Sequence, residues 1–88
     1  MSDQQRSVSV LFVCTGNICR SPTAEGVFRK LVGEAGLAER IVADSAGMID
    51  FHEGSPPDPT AQKVAAHHGY DIAGQAARRI GKRDFARF

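Results

Sequence analysis

A cysteine and an arginine stand six residues apart in a short segment between an apolar run and an amphipathic one: Cys14-Thr15-Gly16-Asn17-Ile18-Cys19-Arg20-Ser21-Pro22. A thiolate needs a positive environment to exist at neutral pH, and the unpaired backbone N–H groups at a helix start supply one. The same amides and the planar guanidinium of Arg20 suit the oxygens of a phosphate dianion. The segment is therefore predicted to be a phosphate-binding loop with a nucleophile, Cys14, at its base.

Each position of this loop can be given a part in phosphoryl transfer. Cys14 would attack phosphorus in line to form a phosphocysteine, and Arg20 would hold two phosphate oxygens. Gly16 permits a backbone conformation that a side chain would hinder, and Ser21 can donate its hydroxyl to the Cys14 sulfur or cap the following helix. The residues predicted to bind phosphate, with their amides turned inward, are Thr15, Gly16, Asn17, Ile18, Cys19, Arg20 and Ser21.

The residues alone leave other interpretations of the two cysteines open. Cys14 could be a small buried side chain at a strand end. Cys14 and Cys19 could bind a metal together with His52 and His67 or His68, although the cysteine spacing is not C-x2-C. A nucleotide-binding P-loop would need a lysine after the loop, and none follows it. Cys19 either packs or forms a disulfide with an oxidised Cys14.

The flanking patterns predict the elements that position the loop. Residues 8–13 form a nearly continuous apolar run, which is typical of a central parallel strand. Ser21 and Pro22 suit the N-cap and first position of a helix whose apolar residues recur at helical spacing up to Gly36. Residues 41–47 predict a second strand, and the resulting βαβ unit places the loop where open α/β sheets bind ligands.

The length and composition predict one small globular domain. It has 88 residues, a 42% hydrophobic fraction and a net charge of +1. The near-neutral charge argues against a nucleic-acid partner, and the basic residues near the end are interpreted as a solvated helical face. The polar N-terminus, the absence of a membrane-spanning run and the low cysteine count predict a cytoplasmic protein without a membrane association.

Two strands make a poor basis for an independent sheet, because the first strand would be unpaired along one side. We therefore expect residues 1–88 to be a single, partial domain whose fold continues past Phe88. A dimer that pairs the unpaired strand with a second copy is the other expectation.

These motifs resemble the low-molecular-weight protein tyrosine phosphatase family, whose signature C-x5-R-[ST] follows a V-x-F-V strand. The resemblance continues through residues 44–47, 51–54 and 56–59 up to Phe88. It implies a flavodoxin-like, doubly wound parallel sheet of the phosphotyrosine phosphatase I type. It also implies a phosphotyrosine-containing protein as substrate, inorganic phosphate or another oxyanion as ligand, and no metal or other cofactor.

The resemblance also assigns roles to individual residues. Cys14 becomes the nucleophile, and Arg20 becomes the ligand of the phosphate and of the transition state. Asn17 would hold the loop in a strained shape with hydrogen-bond support from Ser45. Phe51 falls where the family places an aromatic wall for the substrate ring.

Two departures from the family pattern stand out. Gln75 occupies the place of a histidine that the family commonly has behind the loop. The family's general acid is an aspartate in an Asp-Pro-[Tyr/Phe] motif, which the 88 residues do not contain. Asp58-Pro59 does not replace it, because threonine follows and the pair suits a helix cap.

The resemblance leaves other functions of the same fold open. An arsenate reductase would need a thiol beyond the loop, and no cysteine follows Cys19. Protein-arginine phosphatases tend to carry threonine where Ile18 stands, which favours phosphotyrosine here. A truncated, non-catalytic fragment that only binds phosphate is the alternative from a different class.

Overall fold

The computed structural model describes residues 7–88, in which two strands and three helices follow one another in the order β1 (Val8–Cys14), α1 (Arg20–Glu34), β2 (Ile41–Gly47), α2 (Pro59–His67) and α3 (Asp84–Arg87). The strands pair in parallel, from Val8 opposite Ile41 to Cys14 opposite Gly47. The predicted α/β class with a parallel sheet is confirmed. The loop after β1 lies at the carboxyl end of the sheet.

Helix α1 packs against both strands. The rings of Phe12 and Phe28 meet edge to face with centroids 5.4 Å apart, and Val32 is buried. Glu25 is also buried, because its carboxylate receives the Arg29 Nε–H at 2.7 Å. Arg29 in turn donates to the Ala43 carbonyl at 2.7 Å, and this hydrogen bond links α1 to β2.

The prediction that Ser21 caps α1 is wrong. The helix begins at Arg20, and Cys19 occupies the capping position without a side-chain capping bond. The first helical acceptor is the Cys19 carbonyl, which receives Thr23 N–H at 3.2 Å and the Thr23 hydroxyl at 2.6 Å. Ser21 therefore lies within the first turn, where its hydroxyl faces the loop.

The second helix begins as predicted. Asp58 caps α2 by accepting the Ala61 N–H at 3.1 Å, and Pro59 is the first helical residue. The chain leaves the helix through Gly69, whose φ of +87° lies in the left-handed region. Asp58 N–H also donates to the Ile18 carbonyl at 2.7 Å, which connects the start of α2 to the loop after β1.

The two edges of the sheet differ. Beside β2, Gly47 forms a parallel bridge with Arg79, through Gly47 N–H to the Arg78 carbonyl and Ile80 N–H to the Gly47 carbonyl. Along the other edge, β1 has no partner strand within residues 7–88, and Val13 is 42% exposed. A dimer through this edge stays a prediction.

No helix in residues 7–88 is long and apolar enough to cross a membrane. Residues 1–6, on which part of the sequence-based expectation of location rests, lie outside the described residues.

Candidate active site

Cys14 is the last residue of β1, and its sulfur is surrounded by donors. The Sγ atom lies 3.0 Å from Ser21 Oγ and accepts the Asn17 N–H at 3.3 Å. Burial raises the pKa of Cys14, but the Ser21 hydroxyl and the N–H groups of Ser21, Asn17 and Cys19 outweigh it and lower the pKa below its ordinary value. The loop thus favours the thiolate, which is the nucleophilic form.

Asn17 holds the centre of the loop. It is 3% exposed and has a φ of 59°, a left-handed conformation that costs a residue with a side chain about 1 kcal/mol. Its Nδ2 donates to Ser21 Oγ at 2.8 Å and to Ser45 Oγ at 3.0 Å. Its Oδ1 accepts the Arg78 N–H at 2.9 Å. Three hydrogen bonds therefore keep this backbone conformation in place.

Gln75 stands behind Ser45. The Ser45 hydroxyl donates to Gln75 Oε1 over a long distance of 3.5 Å, and Gln75 Nε2 donates to the Pro22 carbonyl at 2.9 Å. Gln75 therefore joins the support of the loop to the first turn of α1. This is the place that the resemblance gives to a histidine, and a glutamine amide provides both a donor and an acceptor there.

A cavity of about 280 Å³ opens over the sulfur. Its lining consists of Cys14, Thr15, Gly16, Ile18, Cys19, Arg20, Ile49 and His52. Most of the predicted phosphate-binding residues are thus brought together around the thiol, while the buried Asn17 and Ser21 support the loop from behind. Two isoleucines make part of the wall apolar, and Arg20 adds a permanent positive charge.

Phe51 is not in this lining. Its side chain is 80% exposed and packs edge to face against His52, with ring centroids 4.9 Å apart. The imidazole of His52 takes the inner position, because Gly16 has no side chain: a Cβ there would lie 3.0 Å from His52 Cδ2. The role of Phe51 as a substrate wall stays a prediction.

The sequence did not identify Ile49 as a cavity residue, and it placed His52 near the two cysteines only as a possible metal ligand. Both lie in the segment after β2, and no local spacing relates them to the loop. The contact arises because the N–H groups of Met48 and Ile49 bond the Thr15 carbonyl, at 2.9 and 3.1 Å. A parallel pairing of β1 with β2 was the available signal, since it brings the two following segments to the same end of the sheet.

Cys19 differs from Cys14 in its surroundings. The residue as a whole is exposed. Partial desolvation of its sulfur, followed by the nearby negative charges of Asp58 and Cys14, raises its pKa. Asp58 itself is absent from the lining of the cavity, where it would have to be to act on a substrate. Among the described residues, no three histidine, cysteine or acidic side chains are grouped as metal ligands would be.

Gly47 allows β2 to approach the loop closely. An added Cβ would lie 2.9 Å from the Thr15 carbonyl oxygen and 3.0 Å from the Gly16 carbonyl carbon. Because both neighbours are backbone atoms, we expect Gly47→Ala to lower the free energy of unfolding by about 1–3 kcal/mol. Urea unfolding followed by circular dichroism measures this free energy.

Gly33→Ala is the matched control. Gly33 lies in α1, an added Cβ would meet no atom within 4 Å, and the free energy of unfolding is expected to rise by about 1 kcal/mol. Equal stability of the two variants would contradict the prediction.

Comparison with known proteins identifies relatives of nearly the whole chain. The family model for low molecular weight phosphotyrosine protein phosphatase matches residues 9–88. A Sus scrofa protein of that name is 51% identical over 85 residues, which cover 97% of this chain and 53% of the relative. The crystal structure of Bacillus subtilis YfkJ superposes with a TM-score of 0.92 at 44% identity, covering 97% of this chain and 54% of that one.

A structure described as Drosophila arginine phosphatase also matches, with a TM-score of 0.81, 37% identity and coverage of 86% of this chain and 47% of that one. The chain therefore spans about half the length of the relatives it matches.

Proposed function

Because this chain belongs to the low molecular weight phosphotyrosine protein phosphatase family, we propose that the protein hydrolyses phosphotyrosine in protein substrates through a phosphocysteine intermediate. The observation that carries the proposal is the environment of Cys14. Its sulfur receives hydrogen bonds at the base of a cavity that Arg20 borders. A thiol with a lowered pKa, in a cavity that also has an arginine in its lining, is suited to attack a phosphate ester.

In the first step, the Cys14 thiolate attacks phosphorus opposite the phenolic oxygen. The S–P bond forms as the P–O bond to the tyrosine ring breaks. The guanidinium of Arg20 and the inward N–H groups of the loop stabilise the charge on the three equatorial oxygens. The leaving phenolic oxygen takes a proton from solvent water, because no carboxyl group of residues 7–88 lines the cavity.

In the second step, water attacks phosphorus and loses a proton as the S–P bond breaks. Inorganic phosphate departs, and the Cys14 thiolate is regenerated. The same donors serve both steps, because the sulfur is first the nucleophile and then the leaving group. A lowered thiol pKa helps the second role as well as the first.

The shape of the cavity supports an aromatic substrate. Ile18 and Ile49 offer apolar walls next to the phosphate-binding amides, and Phe51 lies beyond them against His52. Burial of a tyrosine ring between such side chains is favourable, whereas the charged guanidinium of phosphoarginine gains little there. Ile18 also differs from the threonine that the resemblance associates with arginine phosphatases.

The test compares substrates and traps the intermediate. The intact protein is expected to hydrolyse a phosphotyrosine peptide at least about tenfold faster than matched phosphoserine and phosphoarginine peptides, because one apolar wall discriminates by this order. A denaturing quench followed by peptide mass spectrometry should find phosphate on Cys14. Faster hydrolysis of phosphoarginine, arsenate-dependent thiol oxidation, or phosphate binding without hydrolysis would each favour one of the alternatives instead.

A cytoplasmic location is proposed from the sequence alone, as is a dimer through the unpaired edge of β1. Sedimentation of the purified protein at several concentrations tests the dimer. A monomer at all concentrations would contradict it.

A further inference from the structure

Arg78 lies far from the loop in the sequence but touches its centre. Its N–H donates to Asn17 Oδ1 at 2.9 Å, and its carbonyl accepts the Gly47 N–H at 2.7 Å. The main chain of Arg78 is thereby inserted between the end of β2 and the phosphate loop. It supplies the one hydrogen bond that Asn17 Oδ1 makes among the described residues.

The side chain of Arg78 is held from two sides. Asp84 in α3 accepts hydrogen bonds from both terminal nitrogens of the guanidinium: Nη1 donates to Oδ2 at 3.0 Å and Nη2 donates to Oδ1 at 2.8 Å. Asp44 in β2 accepts Nη2 on the other side, at 3.0 Å. Bidentate pairing of this kind fixes the plane and the position of a guanidinium as well as its charge.

Burial and a backbone hydrogen bond hold the Asp84 carboxylate in position for this contact. Its carboxylate is buried and also accepts the Gly81 N–H at 2.7 Å. The hydrogen bonds from Arg78, followed by that from Gly81, lower the pKa of Asp84 to about 2. The carboxylate therefore stays charged at every pH at which the phosphate loop would work.

We propose that Arg78 is a positioning residue: its pairing with Asp84 and Asp44 fixes the Arg78 N–H against Asn17 and so holds the phosphate loop in the shape that activates the Cys14 sulfur. We call these three residues the Arg78 clamp. The inference rests on the proposed function only in taking Cys14 as the nucleophile.

The side chain of Asn17 connects Arg78 to the Cys14 sulfur. The Nδ2 of Asn17 donates its two hydrogens to Ser21 and Ser45. Its Oδ1 accepts a hydrogen bond from the Arg78 N–H. If the Arg78 main chain moves, a buried oxygen loses its donor in a residue already held at a positive φ, and the local backbone relaxes. The Asn17 N–H that reaches the sulfur moves with it. A thiolate that loses a donor becomes less stable, so the Cys14 pKa rises.

The test reads the thiol directly. In a Cys19→Ser background, in which Cys14 is the remaining thiol of the 88 residues, the rate of Cys14 alkylation by iodoacetamide is measured against pH in the intact protein by peptide mass spectrometry. Arg78→Lys, which keeps the charge but loses the fork, and Asp84→Asn are expected to raise the midpoint by about one pH unit. Alkylation well below the midpoint then slows about tenfold. Ser21→Ala, which removes a direct donor, is the positive control.

Arg79→Lys is the matched negative control, because it makes the same change at the exposed neighbouring position. Its midpoint should not move. An unchanged midpoint in folded Arg78→Lys and Asp84→Asn, or an equal shift in Arg79→Lys, overturns the clamp. Should Asp84→Asn fail to fold, Arg78→Lys and Asp44→Asn decide, and loss of the fold in all three would show a purely structural role.

The two measurements test the clamp and the proposed function independently. A shifted midpoint in a protein without phosphatase activity would sink the proposed function and leave the clamp standing. Normal phosphotyrosine hydrolysis with an unmoved midpoint would do the reverse.

Discussion

Cys14→Ser is expected to reduce phosphotyrosine hydrolysis to background, a loss of at least about 10⁴-fold in kcat, while phosphate binding is kept. A serine hydroxyl is not ionised in the surroundings that stabilise a thiolate, so no attacking anion forms. The loop amides and Arg20 are unchanged, and they supply the contacts to phosphate. Steady-state hydrolysis of a phosphotyrosine peptide and calorimetric titration with phosphate measure the two effects.

The stability of the variant serves as its control. Thermal unfolding of Cys14→Ser with and without phosphate should show the same ligand-induced stabilisation as the wild type, since binding to the folded state alone raises the transition temperature. Turnover within tenfold of the wild type would show that Cys14 is not the nucleophile. Loss of the phosphate effect would show that the loop had collapsed around the new hydroxyl.

Arg20→Lys is expected to lower kcat/KM by about 10³-fold. Arg20 is the exposed first residue of α1, borders the cavity and forms no ion pair within residues 7–88, so its guanidinium is available to a ligand. Lysine keeps the positive charge but cannot bind two equatorial oxygens at once. Kinetics on phosphotyrosine peptides measure the effect, and most of the loss should fall on kcat because the bidentate contact matches the equatorial oxygens of the transition state better than those of the ground state.

Arg79→Lys again provides the comparison, with less than about a twofold change expected for an exposed arginine outside the cavity. A similar loss in both variants would point to a general effect of charge or stability. If Arg20→Lys retains more than a tenth of the wild-type kcat/KM, bidentate binding by Arg20 is refuted.

The parts of the fold that depend on local patterns were predictable. The apolar run of β1, the Asp58-Pro59 start of α2 and the sequence from Cys14 to Ser21 each carry their signal within a few residues. The helix cap at Ser21 was mispredicted because serine before proline suits an N-cap equally well. The competing demand on its hydroxyl, which bonds Cys14 and Asn17, becomes visible only in three dimensions.

The remaining parts depend on distant contacts. Glu25 has the character of a surface residue in the sequence. It is buried because it pairs with Arg29, whose guanidinium also donates to the Ala43 carbonyl in β2. Arg78 reads as part of a basic tail, and its contact with Asn17 spans 61 residues. No periodicity connects residues so far apart, so a single sequence gives no warning of such pairs.

That long contact has a consequence for the synthesis of the protein. The N–H group that completes the bonding of Asn17 belongs to residue 78, and Asp84, which anchors it, comes later still. On a ribosome, Cys14 emerges long before either of them and before its loop can close. Under the proposed clamp, the cysteine is less ionised at that stage, and its loop reaches the activating shape when the far end of the described chain folds back onto it.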